Sequence, residues 1–281
     1  MTTPALDARA VGVRRGGRPI VVDVDVVARP GEVVALLGPN GAGKSTLLEA
    51  LAGDRGATGA VRVGGDDVRA LAPLERAKRL AFLRQEQALP FPMTALDVVL
   101  LGRSPHCRGV ERPVDHAVAF EALAATGVAG LAARPLGALS GGERRRVHVA
   151  RVLAQLWGDR PPSAGGPERG RVLLLDEPTA GLDLGRAQGL LRLCREQAAS
   201  GVAVVVVLHD LNEALQVADR VAVLAGGRLV AEGAPLGCLT PSLVASVFDA
   251  EVRLVTDPGG GAAAFIPCTT RADRAATEAR E

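Results

Sequence analysis

The sequence predicts an α/β fold with a mostly parallel core sheet, an N-terminal antiparallel β layer and an inserted α-helical subdomain. Three short, mainly apolar runs indicate the core strands, at residues 32–37, 172–175 and 202–208. Runs of this length are typical of strands buried on both faces, and each is followed by polar residues and a helical pattern. Strands that alternate with helices in this way favour a parallel sheet.

The N-terminal layer is predicted from two further strand patterns. Residues 8–13 and 20–27 lie on either side of a Gly-containing loop at 15–18, which is typical of a hairpin. A second hairpin is predicted near the other end of the chain, where two apolar runs flank Gly226 and Gly227. Both pairs of strands are expected to be antiparallel.

A helical region is predicted between the first and second core strands. Residues from about 87 to 155 contain no comparable strand pattern and carry helix-like segments at 115–126 and 142–157. We therefore expect one domain over residues 1–255, with this helical subdomain inserted in it. The Gly- and Ala-rich segment 256–281 is expected to be a partly disordered tail.

The composition limits the classes of partner. With 48% hydrophobic residues, the chain of 281 residues can bury a substantial core. It has no Tyr, one Trp and five Phe, which argues against aromatic platforms for single-stranded nucleic acid. The formal charge of +2 is nearly neutral, and basic clusters such as 144–146 lie among acidic neighbours. We expect no nucleic-acid partner.

No segment predicts a membrane span or a secretory signal. The longest wholly apolar runs, such as 202–208, are far shorter than the ~20 residues that cross a bilayer, and the first seven residues lack a signal pattern. The four cysteines are widely spaced, which indicates reduced thiols. A cytoplasmic protein is expected, and any action at a membrane would need a partner.

A phosphate-binding loop is predicted at residues 38–46, which match G-x-x-x-x-G-K-[ST] between a predicted strand and a helix start. Its glycines let backbone N–H groups turn toward an anion, and the helix N-terminus adds its positive dipole end. Lys44 would reach the β- and γ-phosphates, and the Ser45 hydroxyl would ligate Mg²⁺. The alternative is a glycine turn before an ordinary helix. The candidate nucleotide-binding residues here are Gly38, Pro39, Asn40, Gly41, Ala42, Gly43, Lys44, Ser45 and Thr46.

Two carboxylates follow the apolar run 172–175, at the strand end where open α/β sheets bind ligands. Asp176 would hold Mg²⁺, while Glu177 would point elsewhere and polarise the attacking water. Adjacent carboxylates after a strand are also a common helix cap. The phosphate loop upstream favours the catalytic interpretation, a Walker B arrangement.

A second glycine-rich helix start lies at residues 139–143, where Ser140, Gly141 and Gly142 precede the predicted helix. Such a start can bind a phosphate, and one nucleotide rarely needs two of them from one chain. We therefore expect it to complete the site of a second subunit. Taken alone, the same residues are as readily explained as a helix N-cap.

Taken in order, these motifs resemble those of ABC-transporter nucleotide-binding subunits, over roughly residues 8–250. The phosphate loop is followed by a Q-loop at Gln85, the signature at 139–143, Walker B, a D-loop at 180–183 and an H-loop at His209. One departure concerns adenine, since Val13 and Arg14 stand where the family often has an aromatic residue. The purine is therefore expected to rest on aliphatic and guanidinium surface.

The resemblance implies the ABC ATPase form of the P-loop NTPase fold and a head-to-tail homodimer that hydrolyses ATP with Mg²⁺. Gln85 would sense the γ-phosphate and Mg²⁺, His209 would hold the γ-phosphate, and Asp183 would lie at the nucleotide interface. The implied partners are two transmembrane permease subunits and, indirectly, an extracytoplasmic substrate-binding protein. The chain would lie at the cytoplasmic face of the membrane.

Non-transport ABC proteins are less consistent with this sequence. A chromosome-maintenance protein would need long coiled-coil heptads, and translation-type proteins usually carry two cassettes in one chain. The segment 89–106 resembles the iron-siderophore, haem and vitamin B12 importers. Residues 150–157 and the following Gly/Pro-rich loop are most similar to the haem importers, with siderophore or vitamin B12 import as the alternative.

Overall fold

The computed structural model of the protein describes residues 3–54, 56–84, 92–107, 109–158, 170–257 and 263–268. Gln85, the start of the 89–106 segment and most of the loop after Gly158 lie outside these residues. The strands are β1 (Leu6–Arg15), β2 (Arg18–Ala28), β3 (Val33–Leu37), β4 (Ala57–Val63), β5 (Asp66–Asp67), β6 (Leu80–Leu83), β7 (Val172–Asp176), β8 (Ala203–Val207), β9 (Arg220–Ala225), β10 (Arg228–Gly233), β11 (Val252–Thr256) and β12 (Ala263–Pro267). The helices are α1 (Lys44–Leu51), α2 (Pro73–Arg79), α3 (Ala95–Leu101), α4 (Pro113–Ala125), α5 (Gly141–Leu156), α6 (Leu184–Ala199), α7 (Leu211–Val217), α8 (Pro235–Cys238) and α9 (Pro241–Phe248).

The central sheet has the strand order β10-β9-β3-β8-β7-β6. Every neighbouring pair is parallel except β9 and β10, which form the predicted C-terminal hairpin. The predicted α/β class and its three core strands are confirmed. Strand β6 was not predicted, because its four residues are too few to give a periodic signal.

The N-terminal layer is an antiparallel sheet with the order β2-β1-β4-β5. The first predicted hairpin is confirmed as β1 and β2, and β4 was not predicted because Thr58 and Gly59 interrupt its apolar pattern. Helix α1 lies between this layer and the central sheet. Alternate residues of β3 therefore face two cores: Val34 and Leu36 pack toward α1 and the N-terminal layer, and the other three toward the helices of the opposite face.

Helices α3, α4 and α5 make up the described part of the predicted helical subdomain. A fully buried ion pair joins them, since Arg103 after α3 contacts Asp115 of α4 at 3.1 Å and both side chains are 0% exposed. Arg103 also donates to the carbonyl oxygens of Ala154 and Trp157 at the end of α5. The guanidinium therefore satisfies a helix terminus and a buried carboxylate together.

The C-terminal boundary differs from the one expected at residue 255. Strand β11 continues to Thr256 and pairs with β12 in an antiparallel ladder. The amide side chain of Asn212, in α7, accepts from the N–H of Phe265 at 2.7 Å and donates to its carbonyl oxygen at 3.2 Å. Part of the expected tail is therefore packed against α7, because apolar residues such as Val252 and Phe265 are buried in the core.

No helix in the described part of the chain combines the length and hydropathy that crossing a bilayer requires. The cysteines at 107, 194, 238 and 268 are free thiols. Burial raises the pKa of the Cys194 thiol to about 12, so this thiol stays protonated at neutral pH.

Replacing Asp115 with Ala should lower the free energy of unfolding by about 3–5 kcal/mol, since it leaves the Arg103 guanidinium buried without its counter-charge. Burial opposes ionisation of Asp115, but hydrogen bonds from Arg112, Cys107 and Arg103 outweigh it and hold its pKa below the usual range. The free energy of unfolding of the wild type should thus exceed that of Asp115→Ala above the unfolded-state pKa of about 4. The difference should shrink as the pH falls below that value. Urea denaturation at neutral and acidic pH measures both effects. Glu111→Ala, which removes a half-exposed carboxylate, is the control and should change stability by less than about 1 kcal/mol.

Candidate functional site

The loop between β3 and α1 is closely packed against its neighbours. Gly38, Gly41 and Gly43 have positive φ angles of +147°, +79° and +99°. A Cβ atom on Gly38 would overlap the carbonyl oxygen of Leu224, and one on Gly43 would lie 2.8 Å from that of Ile20. Only glycine allows the chain to turn here and expose its N–H groups ahead of α1.

Lys44 lies inside this loop and is 5% exposed. Its Nζ donates to the carbonyl oxygens of Gly38 at 2.8 Å and Pro39 at 3.0 Å. Burial lowers the pKa of Lys44, and the nearby charges of Glu177 and Asp176 oppose that shift. An incoming anion would supply a further counter-charge for this ammonium.

Asp176 ends β7 facing the first turn of α1. Its Oδ1 accepts a hydrogen bond from the Ser45 hydroxyl at 3.1 Å, and the residue is 2% exposed. Burial raises the pKa of Asp176, while the hydrogen bond from Ser45 opposes the rise. A hydroxyl and a carboxylate are oxygen ligands of the kind that Mg²⁺ takes beside substrate phosphates, so these two residues fit that ion.

Glu177 faces the H-loop. Its Oε1 lies 2.6 Å from Nε2 of His209, and its side chain is 16% exposed. Its φ of +51° is in the left-handed region, which residues other than glycine rarely adopt. The two adjacent carboxylates therefore have different environments, one beside α1 and the other beside His209.

An open cleft of about 240 Å³ lies at the phosphate loop and is lined by residues 40–46 together with Ile20 and Glu177. This volume is below the ~300–1,000 Å³ of pockets that enclose a small ligand. Ile20 was not predicted, and Val13, expected to support a purine, is 3% exposed and belongs to the core.

Ser140, Gly141 and Gly142 are not among the described residues that line this cleft. Ser140 caps α5: its Oγ accepts from the N–H of Glu143, whose carboxylate accepts from the Ser140 N–H at 2.8 Å. Asp183 likewise caps α6, accepting from the N–H of Arg186. The structure therefore joins Asp176 to Ser45 of the phosphate loop and His209 to Glu177, whereas Ser140 and Asp183 bond to the first turns of their own helices.

Two contacts that the sequence did not reveal support the site. Arg145 of α5 donates to the carbonyl oxygens of Asp176 and Glu177. Thr179 donates to Glu213 of α7 at 2.7 Å, and burial raises the pKa of this glutamate while the Thr179 hydrogen bond opposes the rise. Each contact joins residues more than 30 positions apart, so no local pattern predicts it.

Comparison with known proteins gives the same family at the level of sequence and structure. The family model "ABC transporter" matches residues 21–180. The chain is 49% identical to the hemin import ATP-binding protein HmuV of Streptomyces coelicolor, over 92% of this chain and 89% of that protein. It is 48% identical to the HmuV protein of Myxococcus xanthus, over 94% and 97% of the two chains.

Among solved structures, a chain of a metal-chelate type ABC transporter in an inward-facing conformation superposes with a TM-score of 0.76. That chain is 26% identical, and the match covers 95% of this chain and 99% of the other. The ADP conformation of the ATP-binding cassette MJ1267 superposes with a TM-score of 0.66 at 25% identity, over 83% and 92% of the two chains. Both likenesses extend over most of each molecule.

The packing of the loop predicts unequal costs for two glycine substitutions. Gly38→Ala should lower the free energy of unfolding by at least about 3 kcal/mol, because it adds overlap with backbone to an unfavourable φ. Gly41→Ala has a positive φ but no atom within 4 Å of the added Cβ, so about 1–2 kcal/mol is expected. Urea denaturation of both variants measures the difference. Equal losses would contradict the packing described here.

Proposed function

This chain belongs to the ABC transporter family as an ATP-hydrolysing subunit coupled to import, and on that premise we propose that the cleft described above hydrolyses ATP to drive the uptake of haem. The observation that carries the catalytic part is that the phosphate loop and Glu177 line one cleft, with Asp176 bonded to Ser45 and His209 beside Glu177. No single one of these groups would identify the chemistry.

The nucleotide phosphates are proposed to bind along residues 38–46. Backbone N–H groups of the glycine-rich turn and the N-terminus of α1 offer donors to the phosphate oxygens. The Lys44 ammonium, already buried within the loop, would exchange its two carbonyl acceptors for the β- and γ-phosphates. Burial weakens the competition of water for these contacts.

Ser45 and Asp176 are the residues that would hold Mg²⁺, which when bound offsets negative charge on the transferred phosphoryl group. Gln85, which lies outside the described residues, is the third proposed ligand. The Ser45 hydroxyl would turn its proton away from Asp176 so that both oxygens face the ion. The pKa of Asp176 is raised by burial, so a cation at this position would favour the ionised form that binding requires.

Glu177 is proposed to polarise the attacking water. Glu177 lines the cleft together with the phosphate loop. There its carboxylate would accept a hydrogen bond from a water in line with the γ-phosphate. His209 Nε2, now 2.6 Å from this carboxylate, would donate its N–H to the γ-phosphate instead once nucleotide is bound. The roles of the two adjacent carboxylates therefore follow from the different groups that they face.

A second copy of the chain is proposed to close the cleft. The signature residues Ser140, Gly141 and Gly142 form an exposed helix N-terminus away from their own phosphate loop, so they are free to face the nucleotide of a partner. Asp183 would lie at the same interface. Each half-site alone leaves phosphate charge unmatched, which favours a head-to-tail dimer with two ATP molecules.

Haem is the cargo favoured by the curated relatives, whose names specify hemin import. The proposed assembly contains two permease subunits and an extracytoplasmic binding protein, with this subunit at the cytoplasmic face of the membrane. Import of a ferric siderophore or vitamin B12 is the alternative, and the likeness to a metal-chelate type transporter is compatible with either. No cluster of His, Cys, Asp and Glu in the described residues could hold a metal ion, so specificity is assigned to the partners.

Replacing Glu177 with Gln should reduce ATP turnover by about 10² to 10⁴-fold and leave ATP binding intact, since only the general base is lost. Steady-state hydrolysis and the binding of a fluorescent ATP analogue measure the two effects, with Glu111→Gln as a surface control.

Light scattering of the Glu177→Gln protein should also detect a dimer with ATP and a monomer without it. Hydrolysis at the wild-type rate would refute the role of Glu177, and an unchanged mass would refute the sandwich dimer.

Deleting the gene in its host should abolish growth when haem is the sole iron source and leave growth on a ferric siderophore unchanged. The reason is that this subunit is proposed to energise the haem importer and not the siderophore importer. Growth curves on the two iron sources, with the gene restored on a plasmid as control, separate the proposals. Normal growth on haem with failure on the siderophore would favour the alternative cargo.

A further inference from the structure

Arg145 connects helix α5 to the backbone that carries Glu177. Its Nη1 donates to the carbonyl oxygen of Glu177 at 2.9 Å and to that of Asp176 at 3.3 Å. These hydrogen bonds go to the peptide backbone, so they constrain the direction in which the chain leaves β7. The side chain of Arg145 thereby contacts Glu177 through its backbone.

Glu177 is a residue whose conformation needs such support. Its φ of +51° is disfavoured for a residue with a Cβ atom, and a conformation of this kind persists only where the surroundings impose it. The carbonyl oxygen is held by Arg145 and by the N–H of Ala180 at 3.2 Å, and the carboxylate faces His209. Loss of one of these contacts would let the backbone relax and turn the carboxylate away.

The start of α5 is also packed on the D-loop of the same chain. A Cβ atom on Gly142 would lie 2.9 Å from Cδ2 of Leu182, so the first turn of the helix approaches the D-loop closely. Arg145 follows Gly142 on the same helix by one turn. Helix α5 therefore contacts both the D-loop, at Gly142, and the backbone of Glu177, through Arg145.

We propose that Arg145 is a positioning residue that fixes the backbone of Glu177 to the signature helix, so that the signature end of α5 and the water-polarising carboxylate of the same subunit move together. The inference rests on the proposed function, since it takes Glu177 as the group that acts on water. In a head-to-tail dimer the signature end of α5 faces the partner's nucleotide. Contact with that nucleotide would thus be relayed through Arg145 to the subunit's own Glu177.

Replacing Arg145 with Gln should lower kcat for ATP hydrolysis on the order of 10-fold, because a small displacement of a catalytic group has a large effect on rate. KM for ATP should stay within about twofold, since no nucleotide contact is removed. Arg145→Lys keeps the charge and one donor, and it should recover part of kcat. Arg144→Gln is the matched control, since Arg144 is the preceding residue and its side chain makes no hydrogen bond or ion pair with the described residues. The kcat of this variant should equal that of the wild type.

A double variant distinguishes positioning from a general structural role. In single-turnover measurements, adding Arg145→Gln to Glu177→Gln should cost no more than about twofold, because both substitutions act through one carboxylate. A further 10-fold loss in the double variant, or a raised KM with unchanged kcat, would overturn the proposal. If Arg145→Gln does not fold, as thermal unfolding would reveal, the same cycle is run with Arg145→Lys. The ratio of the hydrolysis rates of wild type and Glu177→Gln tests the proposed function separately, because neither protein is altered at Arg145.

Discussion

The parallel register of three central strands is the constraint on which the site depends. Val207 of β8 pairs with Leu36 of β3 on one side and with Asp176 of β7 on the other. The carboxyl ends of the three strands therefore lie at one edge of the sheet, as ligand sites in open α/β folds require. The phosphate loop, Glu177 and His209 each begin within two residues of this line. A shift of one strand would separate the groups that the chemistry needs together.

Burial gives this edge of the sheet its electrostatic character. It lowers the pKa of Lys44 and raises that of Asp176, because desolvation penalises the charged form of either group. Neither residue pairs fully with the other: the ammonium contacts carbonyl oxygens and the carboxylate contacts a hydroxyl. The site is thus arranged for an anion beside Lys44 and a cation beside Asp176, which are the charges of a nucleotide and its metal ion.

Support for the site comes from helices of the opposite face. Arg145 of α5 holds the backbone at Glu177, and Glu213 of α7 holds Thr179 just after it. Helix α7, which follows His209, is hydrogen-bonded in turn to β12 through Asn212. The β11–β12 pair therefore packs on this helix. The helical subdomain is itself fastened by the buried pair of Arg103 and Asp115. Contacts that lie away from the cleft therefore hold the backbone on both sides of the carboxylate that is proposed to be catalytic.

The sequence by itself determined the fold class, the central strands β3, β7 and β8 and the motifs of the site. These signals are local: a buried strand requires a continuous apolar run, and a phosphate loop requires glycines at set spacings before a helix. Only the tertiary structure decided that Ile20 rather than Val13 lines the cleft, that Arg145 contacts the backbone of Glu177, and that residues 263–267 pair with residues 252–256. Each of these depends on residues distant along the chain that come into contact only when the sheets and helices pack, and hydrophobic periodicity carries no information about which distant residues those are.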